Sequence, residues 1–304
     1  MALPVMVNSR SPIPVQAERL SRIDDRITRL DKQIASGEAF TEPAEDPSGT
    51  NRAAQLGRLD SRFTADQRSL DRARSRLGLA ETAIVAAGDA LLRARDLTLT
   101  AANGTMSTED RKVILREVEV LSQQLLDAAN SRDESGRYLF AGSRSGTAPY
   151  AADVDGVVQW LGFGAASGAE AAGVRTSTPP RGPDLFGDAT TGAFAQLQAL
   201  QAALAEPDAE LRGPAFADVL AGLDSAYNRL VAGQASVGAG LARLETETNR
   251  IAAAKLDGAE ALAAVKGLDL TAAIAELEAL KLTQSAAQGS FTRVFDGTLF
   301  DRLG

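Results

Sequence analysis

One row of residues limits what this chain can become. Leu56, Phe63, Leu70, Leu77, Ile84 and Leu91 stand seven apart without exception, and the positions three later are Leu59, Asp66, Ala73, Ala80, Ala87 and Ala94. A seven-residue apolar repeat predicts a helix packed along a seam, and alanines on the second row let the partner helix come close. If continuous, residues 56–91 make a rod about 54 Å long at roughly 1.5 Å per residue.

The period recurs on both sides of that rod. Leu20, Ile23, Ile27, Leu30 and Ile34 alternate spacings of 3 and 4 from about Gln16 onward, and Ile114, Val118, Leu121 and Leu125 do the same. The clearest run is Leu220, Leu223, Tyr227, Leu230, Gln234, Val237, Leu241, Leu244, Thr248 and Ile251, with the polar Gln234 and Thr248 expected to fix register at seam positions. Phe194 to Leu204 reads as a shorter helix, and a last one from about Leu270 carries Ile274, Leu277 and Leu280. Beyond it Phe291, Val294, Phe295, Leu299 and Phe300 need a partner to cover them.

The breaks follow turn chemistry. Pro4, Pro12 and Pro14 should keep the first residues out of the first helix, and Gly37, Pro43, Pro47 and Gly49 interrupt the stretch after it. Asn103-Gly104 ends the rod, Ser107 or Thr108 caps the next helix, and a loop is expected around Pro207 and Pro214. Between Gly136 and Gly192 lie 11 of the 27 glycines and six of the 14 aromatics, among them Tyr138, Phe140, Tyr150, Trp160, Phe163 and Phe186, which predicts short strands joined by tight turns. The expected fold class is mainly α. The N- and C-terminal arms form a long antiparallel helical bundle or coiled coil, with a small β-rich insertion domain in the middle. The expected division is residues 1–45 and 265–304 as a terminal coiled-coil assembly domain, 46–136 and 193–264 as a helical-bundle domain, and 137–192 as a β-rich outer domain.

Composition then narrows the chemistry. Hydrophobic residues reach 44% but aromatics only 5%, a balance suited to thin helical packing. There is no cysteine, hence no disulfide, thiolate nucleophile or zinc–thiolate site, and no histidine, hence no ordinary general base near neutral pH. A net charge of −8 argues against general nucleic-acid affinity. No apolar run approaches the roughly 18 residues that span a bilayer, and the N-terminus lacks the charged and continuous apolar regions of a cleaved signal.

Individual motifs give little catalysis. GFGAASG at 162–168 lacks the lysine and hydroxyl ending of a phosphate loop, and DVDG at 153–156 lacks oxygen ligands at Val157 and Gly164. Asn103-Gly104-Thr105 fits a glycosylation acceptor but equally a turn. Glu45, Asp46 and Asp71 are conceivable paired carboxylates, yet Asp46-Pro47-Ser48-Gly49 reads better as a helix start. Arg68, Arg72, Arg74 and Arg76 interleave with Asp66, Asp71 and Glu81, which favours ion pairs within or between subunits. Trp160 and Phe163 could line a pocket on the insertion, the one place where an enzyme or adhesin role would fit. No catalytic, cofactor-binding or metal residue is expected, and no cofactor.

Several segments in order carry a resemblance. LDKQIASGEAFTEPAEDPSGTNRAAQL resembles the N-terminal region of the flagellin superfamily, and LRARDLTLTAANGTMSTEDRKVILREVEVLSQQLLDAANSRDESGRYLFAGSRSGTAPY continues it. The GRYLFAGS…PY ending and the prolines Pro43 and Pro47 look like its hook-associated protein 3 branch more than flagellin proper. ARLETETNRIAAAK and LDLTAAIAELEALKLTQSAAQGS are similar to the C-terminal part of the superfamily, so the likeness covers about residues 16–150 and 220–304. The opening MALPVMVNSRSPIP departs from it, being proline-rich where relatives begin their terminal helix sooner.

The resemblance implies an extracellular structural subunit at the hook–filament junction of a bacterial flagellum, exported without a cleaved signal, with flagellin as the alternative. It implies as partners other copies of the chain, the other junction protein (hook-associated protein 1), flagellin, an export chaperone and the type III export apparatus, with no nucleic acid and no membrane insertion. A cysteine-free chain suits passage unfolded through a narrow channel. Terminal seams that only neighbours bury are expected to be poorly ordered in isolated subunits, over Leu20 to Ile34 and Leu270 to Phe300.

Overall fold

Helices account for most of the chain. The computed structural model describes the backbone of residues 12–103, 106–154, 156–164, 170–171, 174–175 and 178–300, and the side chains of 17–103, 106–154, 156–164 and 178–290. Pro4 and the side chains of Phe291, Val294, Phe295, Leu299 and Phe300, singled out above, lie outside the described residues. In chain order the elements are α1 (Pro12–Ser36), α2 (Pro47–Ala102), α3 (Thr108–Ala129), β1 (Tyr150–Ala152), β2 (Val158–Trp160), β3 (Glu170–Ala171), β4 (Val174–Arg175), α4 (Gly182–Phe186), α5 (Ala193–Ala205), α6 (Ala209–Lys266) and α7 (Leu270–Phe300). The chain divides into two compact units, one of Met1–Ser61 with Lys255–Gly304 and one of Arg62–Ala254.

Two helices begin earlier than the prolines suggest. α1 starts at Pro12 and takes in Pro14, and α6 starts at Ala209 and takes in Pro214. In the first turn a proline forfeits only an N–H that has no intrahelical partner anyway, so Pro12 and Pro14 fit where the sequence suggested a stop. Pro214 lies a turn further in, and α6 continues through it for another fourteen turns or so at about 3.6 residues per turn.

In the Arg62–Ala254 unit, α2 supplies the expected seam with a gradient along it. Phe63 and Ala73 are half-buried, whereas Leu70, Leu77, Ile84 and Leu91 are buried, as are Ala80, Ala87 and Ala94. The widening comes from the neighbours, because α3 and α5 join α6 in one apolar cluster with the C-terminal half of α2. α6 runs antiparallel to α2: Arg95 Nε bonds Asp224 Oδ1 at 2.8 Å, and one turn or two earlier on α2 the ring of Tyr227 lies against Gly88.

The seam of α6 is not the one expected. Its row Leu223, Leu230, Val237, Leu244 and Ile251 is buried, but the companion row is Val219, Ala226, Gly233 and Gly240. Gln234 is exposed and Thr248 is half-buried with its hydroxyl bonded to Leu244 O, so neither sits as a register-setting residue at the centre of the seam. The large residues at Tyr227 and Leu241 drew the expected row one position too far. Close helix approach selects the small ones: at Gly233 a Cβ would fall 2.0 Å from Leu185 Cδ2.

Among the described residues, the middle of the chain holds little regular strand. β1 and β2 form an antiparallel hairpin in the register Tyr150↔Trp160, and β3 pairs with β4 over two residues each. Its aromatics pack into the helical core: Phe140 meets Phe186 edge-on at 5.6 Å, and Tyr150 lies 5.2 Å from Phe194 of α5. Asn130, which caps α3, grips the hairpin by accepting from Tyr150 N and donating to Tyr150 O, both at 3.0 Å. The short helix α4, unmarked by any apolar period, delivers the fully buried Leu185 and Phe186.

Candidate functional site

The terminal unit is built around a turn that fastens α1 to the start of α7. Gly37 takes φ +70, the left-handed conformation that ends α1, and its N–H donates to Gln33 O at 2.8 Å. The chain then pairs with the α6–α7 connection: Ala39 N donates to Lys266 O at 2.7 Å, and Leu268 N to Gly37 O at 3.1 Å. Gln33, nearly buried, donates its amide to Ala39 O at 2.6 Å, and Lys266 Nζ reaches Glu38 Oε1 at 3.0 Å. Buried Phe40 packs over Gly49, where an added Cβ would lie 2.8 Å from its ring.

Two carboxylates close the turn. Glu45 accepts from Thr41 N at 2.7 Å and Glu42 N, and these bonds, aided by Arg29 at 3.5 Å, hold its carboxyl below the usual range. Asp46 accepts from Gly49 N at 2.9 Å and from Ser48, which likewise lowers it, and caps α2 with Pro47 at the first helical position. Both carboxylates are thus taken up by backbone donors, as the helix-start reading expects, while Asp71 is exposed on α2. Open clefts of about 350 and 440 Å³ flank the turn, the first lined by Phe40, Ala53 and Leu262, the second by Leu30, Glu45 and Glu276.

From the turn, α1 and α7 run antiparallel. Arg26 holds Glu276 with both Nε and Nη2, at 2.8 and 3.1 Å, Asp24 bonds Gln284, and Lys281 lies 3.9 Å from Asp31. These ties were not legible in the sequence, because charged residues on a helix face carry no mark of their partner. The apolar seam between the two helices is thin. Leu30 and Ala273 are buried, Leu20, Ile23, Ile27, Ile34, Leu277 and Leu280 are half-buried, and Ile274, expected on the seam, stands exposed because Ala273 takes the close-approach position. Leu59, Leu256, Leu270 and Leu282 of the same unit are also exposed, Leu282 by 74%. These residues form apolar surface that the packing of α1 and α7 leaves uncovered.

Elsewhere the candidates are occupied by structure. Arg76, not paired with Asp66, Asp71 or Glu81, lies 3.2 Å from Asp133, and burial lowers its pKa against that charge. Asp133 is nearly buried; burial alone would raise its carboxyl, but bonds from Ser135 and Arg137 N together with Arg76 keep it lowered. Arg72 turns back onto Arg68 O and Ser69. Asp153 closes the β1–β2 turn by accepting from Val157 N at 2.9 Å, Trp160 Nε1 reaches Phe140 O, and Phe163 is exposed. Among the described residues no three His, Cys, Asp or Glu side chains are placed to hold a metal, and no helix is long and apolar enough to cross a membrane.

Comparison with known proteins agrees with this architecture. Residues 7–145 match the bacterial flagellin N-terminal helical region. Flagellar hook-associated protein 3 of Salmonella typhimurium is 29% identical over 122 residues, which cover 40% of this chain and 38% of that protein. The matched stretch thus spans well under half the length of that relative. Among solved structures, a putative flagellar hook-associated protein of Vibrio parahaemolyticus has a TM-score of 0.68 at 20% identity, over 73% of this chain and 99% of that one. The flagellar junction protein FlgL of Legionella pneumophila has a TM-score of 0.57 at 19% identity, over 64% and 99%. At these identities the structures speak for the fold.

Proposed function

We propose that this chain, a flagellin-superfamily protein by its N-terminal helical region, is a structural subunit at the junction between flagellar hook and filament, needed to attach the filament and hence for motility. The observation that carries the reading is the terminal pair. α1 and α7 bury few side chains between them and leave Leu270, Ile274 and Leu282 in water. Burying that row against neighbouring helices gains about 25 cal/mol per Å² of apolar area, a gain realised only in an assembly. The relatives named hook-associated protein 3 favour the junction over the bulk filament, flagellin.

In this reading residues 1–45 and 265–304 form the inner assembly layer, 46–136 and 193–264 a middle helical bundle, and 137–192 the outer part. Its partners are other copies of the chain, the other junction protein, flagellin, and the chaperone and type III apparatus of export. The subunit works outside the cell and carries no catalytic step. Deleting the gene should leave hooks without filaments and shed flagellin into the medium, with swimming restored by the intact chain. Electron microscopy of hook–filament particles labelled within 137–192 should mark the junction alone. Filaments still attached in the deletion strain would sink the proposal, and label along the filament would assign the chain to flagellin.

A further inference from the structure

Without cysteine, the sulfur of this chain is confined to Met1, Met6 and Met106. Met1 and Met6 lie outside the described residues, whereas Met106 sits at the corner between α2 and α3, in the Arg62–Ala254 unit. It is half-buried and packs against the apolar cluster that α2, α3, α5 and α6 share. Part of the residue meets water while the rest completes a core. At such a position a small oxidant can reach a thioether, and a change in its polarity is felt by the packing.

The main chain at Met106 ties the two helices together. Its N–H donates to Asn103 O at 3.3 Å, just past the end of α2, and its carbonyl accepts from Arg111 Nη1 at 3.3 Å. Arg111 Nη2 also donates to Thr108 Oγ1 at 3.1 Å, and Arg111 N to Ser107 O at 3.1 Å in the first turn of α3. Ser107 and Asp110 exchange backbone-to-side-chain bonds, so the capping box fixes how α3 starts. Where it starts depends on Met106. Between buried Ala101 and buried Ile114, Met106 reaches the cluster while Ala102 and Val113 are exposed. Two long bonds and one packed thioether therefore seat the corner.

We infer that Met106 is a site of reversible oxidation by peroxides, and that its sulfoxide loosens the corner between α2 and α3. The thioether sulfur gives two electrons to the peroxide and takes its terminal oxygen. The O–O bond breaks, and the departing hydroxide leaves as water with the proton that the transferred oxygen gives up. The product carries a polar S=O where the cluster had received an apolar sulfur, and burying it without a partner costs more than burying the thioether. Reversal belongs to the thiol-dependent methionine sulfoxide reductases, which return the thioether while two thiols become a disulfide and the oxygen leaves as water.

The test treats the full-length folded chain with dilute hydrogen peroxide at neutral pH. Peptide mass spectrometry locates the sulfoxides, and circular dichroism follows the melt. Met106 should gain one oxygen, with the helical melt falling by about 2–4 °C, the shift that losing part of one buried side chain gives in a unit of this size. Reductase with a dithiol should return the original melt. Met106→Leu keeps an apolar side chain of similar volume, so its melt should stay in place although Met1 and Met6 still oxidise. Met106→Gln, polar at similar length, should melt low from the start and fall no further with peroxide. Four results would each overturn the assignment: a folded chain oxidised at Met1 and Met6 but not at Met106, a sulfoxide at Met106 that leaves the melt unmoved, a fall of equal size in Met106→Leu, or a melt that reduction does not restore.

Discussion

At the scale of single residues, the turn between α1 and α2 concentrates the strongest local constraints. At Gly49 a Cβ would fall 2.2 Å from Asp46 Oδ2 and 2.8 Å from the Phe40 ring, so Gly49→Ala must displace either the cap or a buried aromatic. We expect it to cost about 1–3 kcal/mol, although alanine is the better helix former, read as a lower urea midpoint. The lowered carboxyls set the acid limb of stability. Asp133, Glu45 and Asp46, and Asp188 through its bonds from Thr191 and Thr190, all have folded pKa values below the unfolded ones. Their contribution is full above the unfolded value of about 4 and is lost as pH falls through the lowered ones. Urea midpoints should therefore hold near neutrality and drop below about pH 4. Asp133→Asn should lower stability at pH 7 by about 1–3 kcal/mol and flatten that drop. None of these bonds is marked in the sequence except the Asp-Pro-Ser-Gly helix start, because a local motif names its own acceptor whereas Arg76 of α2 and Asp133 meet only once α3 has carried the chain back along α2.

Among the elements, α6 separates period from face. The row Leu223 to Ile251 follows from a spacing of seven alone, but its companion could lie three or four residues later, and both choices look helical. Side-chain size decides, since Gly233 sits against Leu185 and Gln234 points to water. Gln234→Leu should leave stability within about 0.5 kcal/mol, while Gly233→Leu, overfilling the seam, should cost about 1–3 kcal/mol or block folding. Equal effects in thermal melts would return Gln234 to the seam. The proline positions teach the reverse lesson. Pro12 and Pro14 break helices as a statistical rule, but in the first turn the lost N–H has no intrahelical partner, so the rule gives way to position, whereas Pro214 forfeits one interior bond that the long α6 tolerates.

Over the whole molecule, burial is uneven. The contiguous apolar cluster runs from Leu70 to Ile251 and lies in the Arg62–Ala254 unit, while α1 and α7 hold together through Leu30, Ala273 and exposed ion pairs worth little in water. Hydrogen exchange of a dilute monomer should therefore protect Leu77 to Leu97 strongly and α1 and α7 weakly, with protection of the latter rising on assembly. Equal protection of both units would show that the terminal pair needs no neighbour. What the sequence determined by itself was the mainly helical class, the order of helices and most of their ends, because period, capping and turn chemistry act over neighbouring residues. What only the tertiary structure decided was which face each helix buries, that Phe140, Tyr150 and Phe186 feed the helical core while Phe163 does not, and that Val85, Leu92 and Leu99 of α2 and Val113 and Val120 of α3 stay uncovered. Those depend on distances between residues far apart in the chain, and a periodic pattern fixes a helix without fixing what it will touch.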